Sequence, residues 1–200
     1  MLTLHVIALN IPYPPNYGGV IDIYYKLLAL HRLGVRLILH CYEYERPRAP
    51  ELERICAEVH YYPRRTGLLA NLTLEPYNVA GRRNEQLVQR LLQDEAPILF
   101  EGLHTCFCID DPRLAGRVKV FRSCNIEHDY YRALGQAERH PLRRLFYRLE
   151  AWRFRRYLPH AAAADLVAAV STTDTDALRR LLPASRVAFI PCFHAHDSVS

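Results

Sequence analysis

The sequence predicts an α/β fold: a Rossmann-like, doubly wound and mostly parallel sheet of about seven strands with helices on both faces. Three observations lead there. Short apolar runs of strand length alternate along the whole chain with segments whose apolar residues recur at helical spacing. Strands separated in this way by helices join as parallel neighbours through right-handed crossovers. Half of the 200 residues are hydrophobic and 24% are charged, a globular balance with enough apolar side chains for a real core, and no internal repeat or low-complexity tract divides the chain.

In order, residues 2–10 form an apolar first strand. It runs into Pro12-Tyr13-Pro14-Pro15-Asn16-Tyr17-Gly18-Gly19-Val20 and then a helix over 21–33, with Ile23, Leu27, Leu30 and Leu33 on one face and Gly34 as its stop. Strand, glycine turn and helix in that order suit an anion: glycines let backbone N–H groups approach it, and the helix N-terminus adds unpaired donors and partial positive charge. The plain alternative is a tight turn. A second strand over 35–42, a short helix over 51–57 and a third strand over 58–62 follow. Residues 63–83 are the longest irregular stretch, with room for a small helix at 68–72 or a functional loop, on which Arg82 and Arg83 are expected to be solvated. Asn84 caps a helix over 85–93 that turns Leu87, Val88, Leu91 and Leu92 inward.

The fourth and fifth strands are expected at 97–101 and 118–121. Residues 130–157 read as mostly helical, with a break near Gly135 and a restart at Pro141. The sixth strand spans 166–170, Ser171 and Asp174 flank the start of a helix that runs over 176–182, and the seventh strand, 187–190, ends at Pro191. From Arg139 to Tyr157 seven arginines flank a stripe of Leu142, Leu145, Phe146, Leu149 and Trp152. The stripe is expected to cover the sheet, with the arginines as a solvated face. The sharper alternative is peripheral contact with anionic lipid headgroups, with Trp152, Phe154 and Tyr157 at the boundary.

The formal charge is +5, and of 26 basic residues only Lys26 and Lys119 are lysine. Arginine suits oxyanions, but no interleaving of aromatic and basic residues supports nucleic-acid binding, which is not expected. The N-terminus opens on a strand and not on a cationic stretch followed by an apolar run, and no segment reaches the roughly 18 apolar residues of a spanning helix. A cytoplasmic protein is expected, with any membrane contact peripheral and at the inner face. Six scattered cysteines without a Cys-x-x-Cys pair read as structural thiols, with Cys106-Phe107-Cys108 on a strand or loop. No metal site is expected, His194-Ala195-His196-Asp197 included.

Doubly wound sheets bind ligands beyond the carboxyl ends of their strands. That rule gathers Tyr17-Gly18-Gly19, the run from Glu101 to His104, Ser123-Cys124-Asn125 with Glu127 and His128, Ser171-Thr172, and Cys192 to His194 on one rim. His104 directly follows a strand and could act as a hydrogen-bonding or acid–base group. Asn125 to Tyr131 reads as a helix start at the rim, with Asn125 as cap and acids in the first turn. His31, His60 and His160 have no such placement and read as surface or satisfied core residues.

Taken together, Pro14-Pro15-Asn16-Tyr17-Gly18-Gly19, a helix with Asp22, Ile98-Leu99-Phe100-Glu101-Gly102-Leu103-His104, the run Asn125 to Tyr131, Val170-Ser171-Thr172-Thr173-Asp174 and Val187-Ala188-Phe189-Ile190-Pro191 resemble the start of GT-B glycosyltransferases of family 4. The resemblance covers nearly all 200 residues. It implies that residues 1–191 are the N-terminal, acceptor-side Rossmann-like domain and 192–200 the start of a linker or tail. The C-terminal nucleotide-sugar domain is then absent, to be supplied in cis or in trans, and the chain alone is expected to have little activity. The implied reaction is retaining transfer of a hexose from a nucleotide sugar, a substrate and not a cofactor, to a glycan or lipid-linked acceptor in polysaccharide biosynthesis. Gly18 and Gly19 would face the donor phosphate, and Tyr17, Asn125, Glu127 and His128 the acceptor. His104 would be the catalytic residue, positioning and stabilising charge without covalent attack. Cys192 departs from the family pattern, which has asparagine after Ile-Pro. Two other readings stand beside this one. The first is a non-catalytic module that holds a glycan or lipid-linked acceptor. The second is a dinucleotide-dependent oxidoreductase, against which count the missing Gly-x-Gly-x-x-Gly and the lack of an acid closing the second strand, Glu43 being nearest.

Overall fold

The computed structural model describes residues 2–67 and 73–195. Seven parallel strands form one sheet: β1 (Thr3–Ile7), β2 (Arg36–Glu43), β3 (Glu58–Pro63), β4 (Ile98–Glu101), β5 (Lys119–Ser123), β6 (Leu166–Ala169) and β7 (Val187–Phe189), in the order β3-β2-β1-β4-β5-β6-β7. The helices are α1 (Gly18–Arg32), α2 (Pro50–Glu53), α3 (Tyr77–Ala80), α4 (Glu85–Leu91), α5 (Glu127–Ala137), α6 (Pro141–Tyr157) and α7 (Thr172–Leu181). Short 3₁₀ turns lie at Leu103–Cys108, Pro112–Leu114 and Leu158–Ala163.

The central strands are buried on both faces, the edge strands β3 and β7 only in part, and successive side chains point to opposite sides. Val6, Leu39 and Leu99 pack with Ile23 and Leu27 of α1 and Leu52 of α2. Ile7, Phe100, Phe121 and Val167 pack on the other side with Leu87 and Leu91 of α4, Phe154 of α6 and Leu178 of α7. Where the strand order reverses, between β1 and β4, the helices on the two faces diverge and leave a crevice.

The differences from expectation are local. Gly18 and Gly19 do not precede the first helix but form its first turn, after Tyr17 in extended conformation. The expected break near Gly135 falls at residues 138–140. Gly135 stays helical and buried at the contact between α5 and α6, where a Cβ would lie at ordinary contact distance, 3.4 Å, from Tyr147 Cβ. Glu138 leaves the helical region and Pro141 opens α6. Cys106-Phe107-Cys108 lies in a 3₁₀ turn, neither strand nor loop. Leu92, expected inward, is half exposed just past the end of α4. The small helix expected at 68–72 lies outside the described residues, while α3 forms a few positions later. Asn84 and Ser171 cap α4 and α7 through their side chains.

Three further expectations are overturned. Most of the stripe on α6 does not cover the sheet: Leu142, Leu145, Leu149 and Trp152 face outward, Phe146 is half-buried beside Tyr77, and Ala151, Phe154 and Tyr157 are buried instead. Arg82 is buried, its guanidinium donating to the Leu9 and Asn78 carbonyls, whereas Arg83 is half-buried and paired with Glu75. The thiols of Cys124 and Cys192 are not simply core: both residues line the crevice, and Cys192 is exposed.

Candidate functional site

The crevice is a cleft of about 730 Å³ at the carboxyl ends of β1, β4, β5 and β6. One wall is the start of α1. Tyr17, its cap residue, makes no side-chain cap bond, so the first-turn N–H groups lack the partner that Asn84 and Ser171 supply in α4 and α7. A Cβ built on Gly18 or Gly19 meets nothing within 4 Å, and neither glycine has positive φ. Neither packing nor backbone strain in this domain therefore demands glycine there.

The opposite wall begins with Gly102. Its φ of +81°, a region glycine enters at no steric cost, turns the chain out of β4 into the 3₁₀ turn. That turn sets the His104 ring into the cleft, edge-on to Phe154 of α6 with centroids 5.3 Å apart; Phe154 in turn stacks on Tyr131 at 5.0 Å. His104 Nε2 lies 3.6 Å from Glu127 Oε2, and its buried Nδ1 has no hydrogen-bond partner. Burial, helped by the Arg82 and Arg64 guanidinium groups, pulls the His104 imidazole down to about 3. Burial alone pushes the Glu127 carboxyl up to about 8. At neutral pH the pair is a neutral imidazole beside a protonated carboxylic acid, which can accept and donate hydrogen bonds without carrying charge.

Under the cleft lies a second polar group, fully paired. Lys26 Nζ donates to Glu101 at 2.7 Å and 3.0 Å and to Asp22 at 3.1 Å. Arg122 reaches Asp22 at 3.3 Å and 3.4 Å and donates to the carbonyls of Ile190 at 2.5 Å and Pro191 at 3.0 Å. The Phe193 N–H donates to Asp22 Oδ1 at 2.7 Å. Burial pushes the Asp22 carboxyl up, but Lys26, the Phe193 N–H and Arg122 outweigh it and hold it below its usual value. Burial likewise opposes the Lys26 ammonium, but Glu101 and Asp22 raise it. Asp22, Glu101 and Cys124 bring three ligand atoms within 4.8 Å of one another; the Lys26 ammonium already supplies the positive charge there, so the set is an ion-pair cluster and a poor cation site.

Of the residues expected at the site, Tyr17, Gly18, Gly19, His104, Asn125 and Glu127 line this one cleft. His128 does not. One position on from Glu127 in α5, it points away and is buried, with Nε2 3.8 Å from Asp129. Asn125 does not cap α5; Ile126 holds that position without a side-chain bond. His194 lines the cleft, and His196 and Asp197 lie outside the described residues. His31 is exposed, and His60 and His160 pair with Glu58 and Asp110. Sequence reasoning missed Lys26 and Arg122 as partners of Asp22 and Glu101. The available signals were an acid and a base four residues apart on α1 and charged residues at the carboxyl ends of two strands, Glu101 closing β4 and Arg122 next to the end of β5. It also missed a buried chain on the sheet, in which His5 bridges Asp94 and His40, and His40 reaches the Tyr62 hydroxyl.

No protein-family model matches the sequence. The chain is 30% identical over 164 residues to an uncharacterized 44.6 kDa protein in the cps region of Klebsiella pneumoniae, a match spanning 78% of this chain and 42% of that protein. Among solved structures, sucrose-phosphate synthase from Thermosynechococcus elongatus aligns with a TM-score of 0.58 at 16% identity, over 96% of this chain and 48% of that one. Phytolacca americana UGT2, in complex with UDP-2-fluoro-glucose and pterostilbene, aligns with a TM-score of 0.57 at 10% identity, over 100% of this chain and 55% of that one. The fold is thus that of one half of GT-B glycosyltransferase structures. The chain spans less than half the length of the curated relative it matches and about half that of these structures. Among the described residues, no helix is long and apolar enough to cross a membrane.

Proposed function

We propose that the chain is the acceptor-side half of a retaining glycosyltransferase of family 4. It moves a hexose from a nucleotide sugar to a glycan or lipid-linked acceptor in polysaccharide assembly on the cytoplasmic side of the membrane. The observation that carries this reading is the convergence of an uncapped helix start at Gly18-Gly19 with His104 and Glu127 on one cleft at the strand ends. The cps region named for the Klebsiella relative supports the polysaccharide context, and the UDP-sugar in the UGT2 complex supports a nucleotide-sugar donor.

In this reading the first-turn N–H groups of α1 face the donor diphosphate, and the missing side chains at Gly18 and Gly19 leave room for it. An imidazole held at about 3 is a poor proton acceptor at neutral pH, and a carboxyl held at about 8 is mostly un-ionised there. Neither group suits base or nucleophile chemistry, which favours a retaining reaction in which His104 and Glu127 orient sugar hydroxyls and stabilise developing charge by hydrogen bonding. Tyr17 and Asn125 complete the acceptor wall. A second Rossmann-like domain, in cis or in trans, contributes most contacts to the nucleotide.

The test is transfer of labelled sugar from a panel of nucleotide sugars. The 200-residue chain alone is expected to give no turnover, and its assembly with a second domain to turn over with the donor's anomeric configuration kept. His104→Ala in that assembly is expected to slow transfer about 100-fold or more while circular dichroism stays unchanged. Inverted product, or turnover indifferent to His104→Ala, overturns the mechanism. Acceptor binding that persists with no turnover in any assembly favours a binding module instead.

A further inference from the structure

The outward face of α6 is a feature that the cleft does not explain. Leu142, Leu145, Leu149 and Trp152 follow one another at helical spacing, with exposures of 71%, 64%, 40% and 46%. They form a single ridge pointing into solvent, while Phe154 and Tyr157 hold the opposite face on the domain. Around the ridge, Arg139, Arg143, Arg144, Arg148, Arg155 and Arg156 are all exposed, and among the described residues none of them lies within ion-pair distance of a carboxylate. The one acid on the helix, Glu150, is buried and bonded to Arg153 at 2.8 Å and to the Tyr77 N–H at 2.9 Å. The Arg156 guanidinium sits 5.1 Å from the Trp152 ring centroid.

A second copy of this chain seated on the ridge would bring the two sets of arginines together, and like charges oppose such a contact. An anionic surface has the complementary charge. The four apolar side chains share one exposed face of the helix, and long arginines beside leucines and a tryptophan suit a boundary where one side is apolar and the other wet. We infer that α6 docks the protein on an anionic lipid bilayer, with the leucines and Trp152 in the headgroup–acyl boundary and the arginines on the headgroup phosphates. The inference is independent of the sugar-transfer reading: a chain with no transferase activity in any assembly would still bind vesicles through this helix.

Trp152 is the only tryptophan in the chain, so its emission reports on this face alone. Vesicles of phosphatidylglycerol and phosphatidylcholine are expected to shift that emission to shorter wavelength and to carry the protein into the pellet, whereas pure phosphatidylcholine does neither. Because these side chains are exposed, L145S/L149S and R144Q/R148Q are expected to fold normally, which far-ultraviolet circular dichroism checks. The first is expected to weaken vesicle binding at least tenfold, and the second about fivefold for each arginine removed. Three outcomes overturn the inference. One is emission unmoved by anionic vesicles; another is a blue shift that grows with protein concentration in their absence, which would mean self-association. The third is vesicle binding that L145S/L149S leaves intact.

Discussion

Two buried polar groups lie side by side at the end of the sheet, and they avoid the cost of burying charge in opposite ways. Asp22, Lys26, Glu101 and Arg122 stay charged because each meets an opposite charge within hydrogen-bond distance, and Arg122 also closes on two carbonyls. His104 and Glu127 have no such partners; burial makes them neutral instead, and one ring nitrogen is left unmatched. The paired cluster is complete within the fold. The neutral pair is incomplete and faces the cleft, where of the paired cluster Asp22 alone is in the lining, so the difference separates what the domain needs to stand from what it offers to a ligand.

The largest effect is expected from breaking the paired cluster. Arg122→Met orphans two carbonyls and removes one of the two cations that pair with Asp22, leaving it Lys26 and the Phe193 N–H, and it is expected to lower unfolding stability by about 3–5 kcal/mol in urea titration. A loss under about 1 kcal/mol would show that Lys26 and the Phe193 N–H suffice.

The neutral pair is expected to show itself through pH. Unfolded, Glu127 releases its proton near pH 4.3; folded, it holds the proton to about 8. The folded state therefore carries the extra proton between those values. Its contribution is full below the unfolded value and is lost as pH rises through 8. His104 acts in the other direction: its contribution is present above the unfolded value near 6.5 and is lost as pH falls towards about 3. Between pH 6.5 and 8 only Glu127 of the pair titrates, so wild type is expected to lose roughly 1–2 kcal/mol relative to Glu127→Gln over that window. Parallel pH profiles for the two proteins would mean that Glu127 is already ionised.

The smallest stability effect is expected at Gly18→Ala, where the added Cβ meets nothing. A change of no more than about 1 kcal/mol, in the stabilising direction, follows from helix propensity, while sugar transfer by the assembly should fall because the side chain enters the space offered to the donor. A large loss of stability would move these glycines to the side of the molecule that serves the fold.

The sheet was legible in the sequence because each buried strand is a short apolar run bounded by polar or turn residues, and the order of those runs dictates parallel crossovers. His104 was legible for the same reason, as a polar residue immediately past an apolar strand. Periodicity alone cannot say which of two stripes on one helix is buried. On α6, the row of Leu142, Leu145 and Leu149 is more apolar than the row containing Glu150 and Tyr157, yet it lies outside, because Glu150 finds both Arg153 and the Tyr77 N–H inside. Arg82 failed in the same manner: a loop arginine reads as solvated until the Leu9 and Asn78 carbonyls that hold it are known. Pairings across the fold, such as Arg122 with Asp22 100 residues away, leave no local pattern.

The clasp on residues 190–193 also makes the domain a mechanical linkage. Ile190 and Pro191 hang from Arg122, and Phe193 from Asp22, so three hydrogen bonds tie this segment to the same carboxylate and guanidinium that brace α1. A pull on the chain beyond Phe193 is met by Asp22 on α1 and by Arg122 on β5. The segment and the wall of the cleft therefore share one anchor, a pair of buried ions.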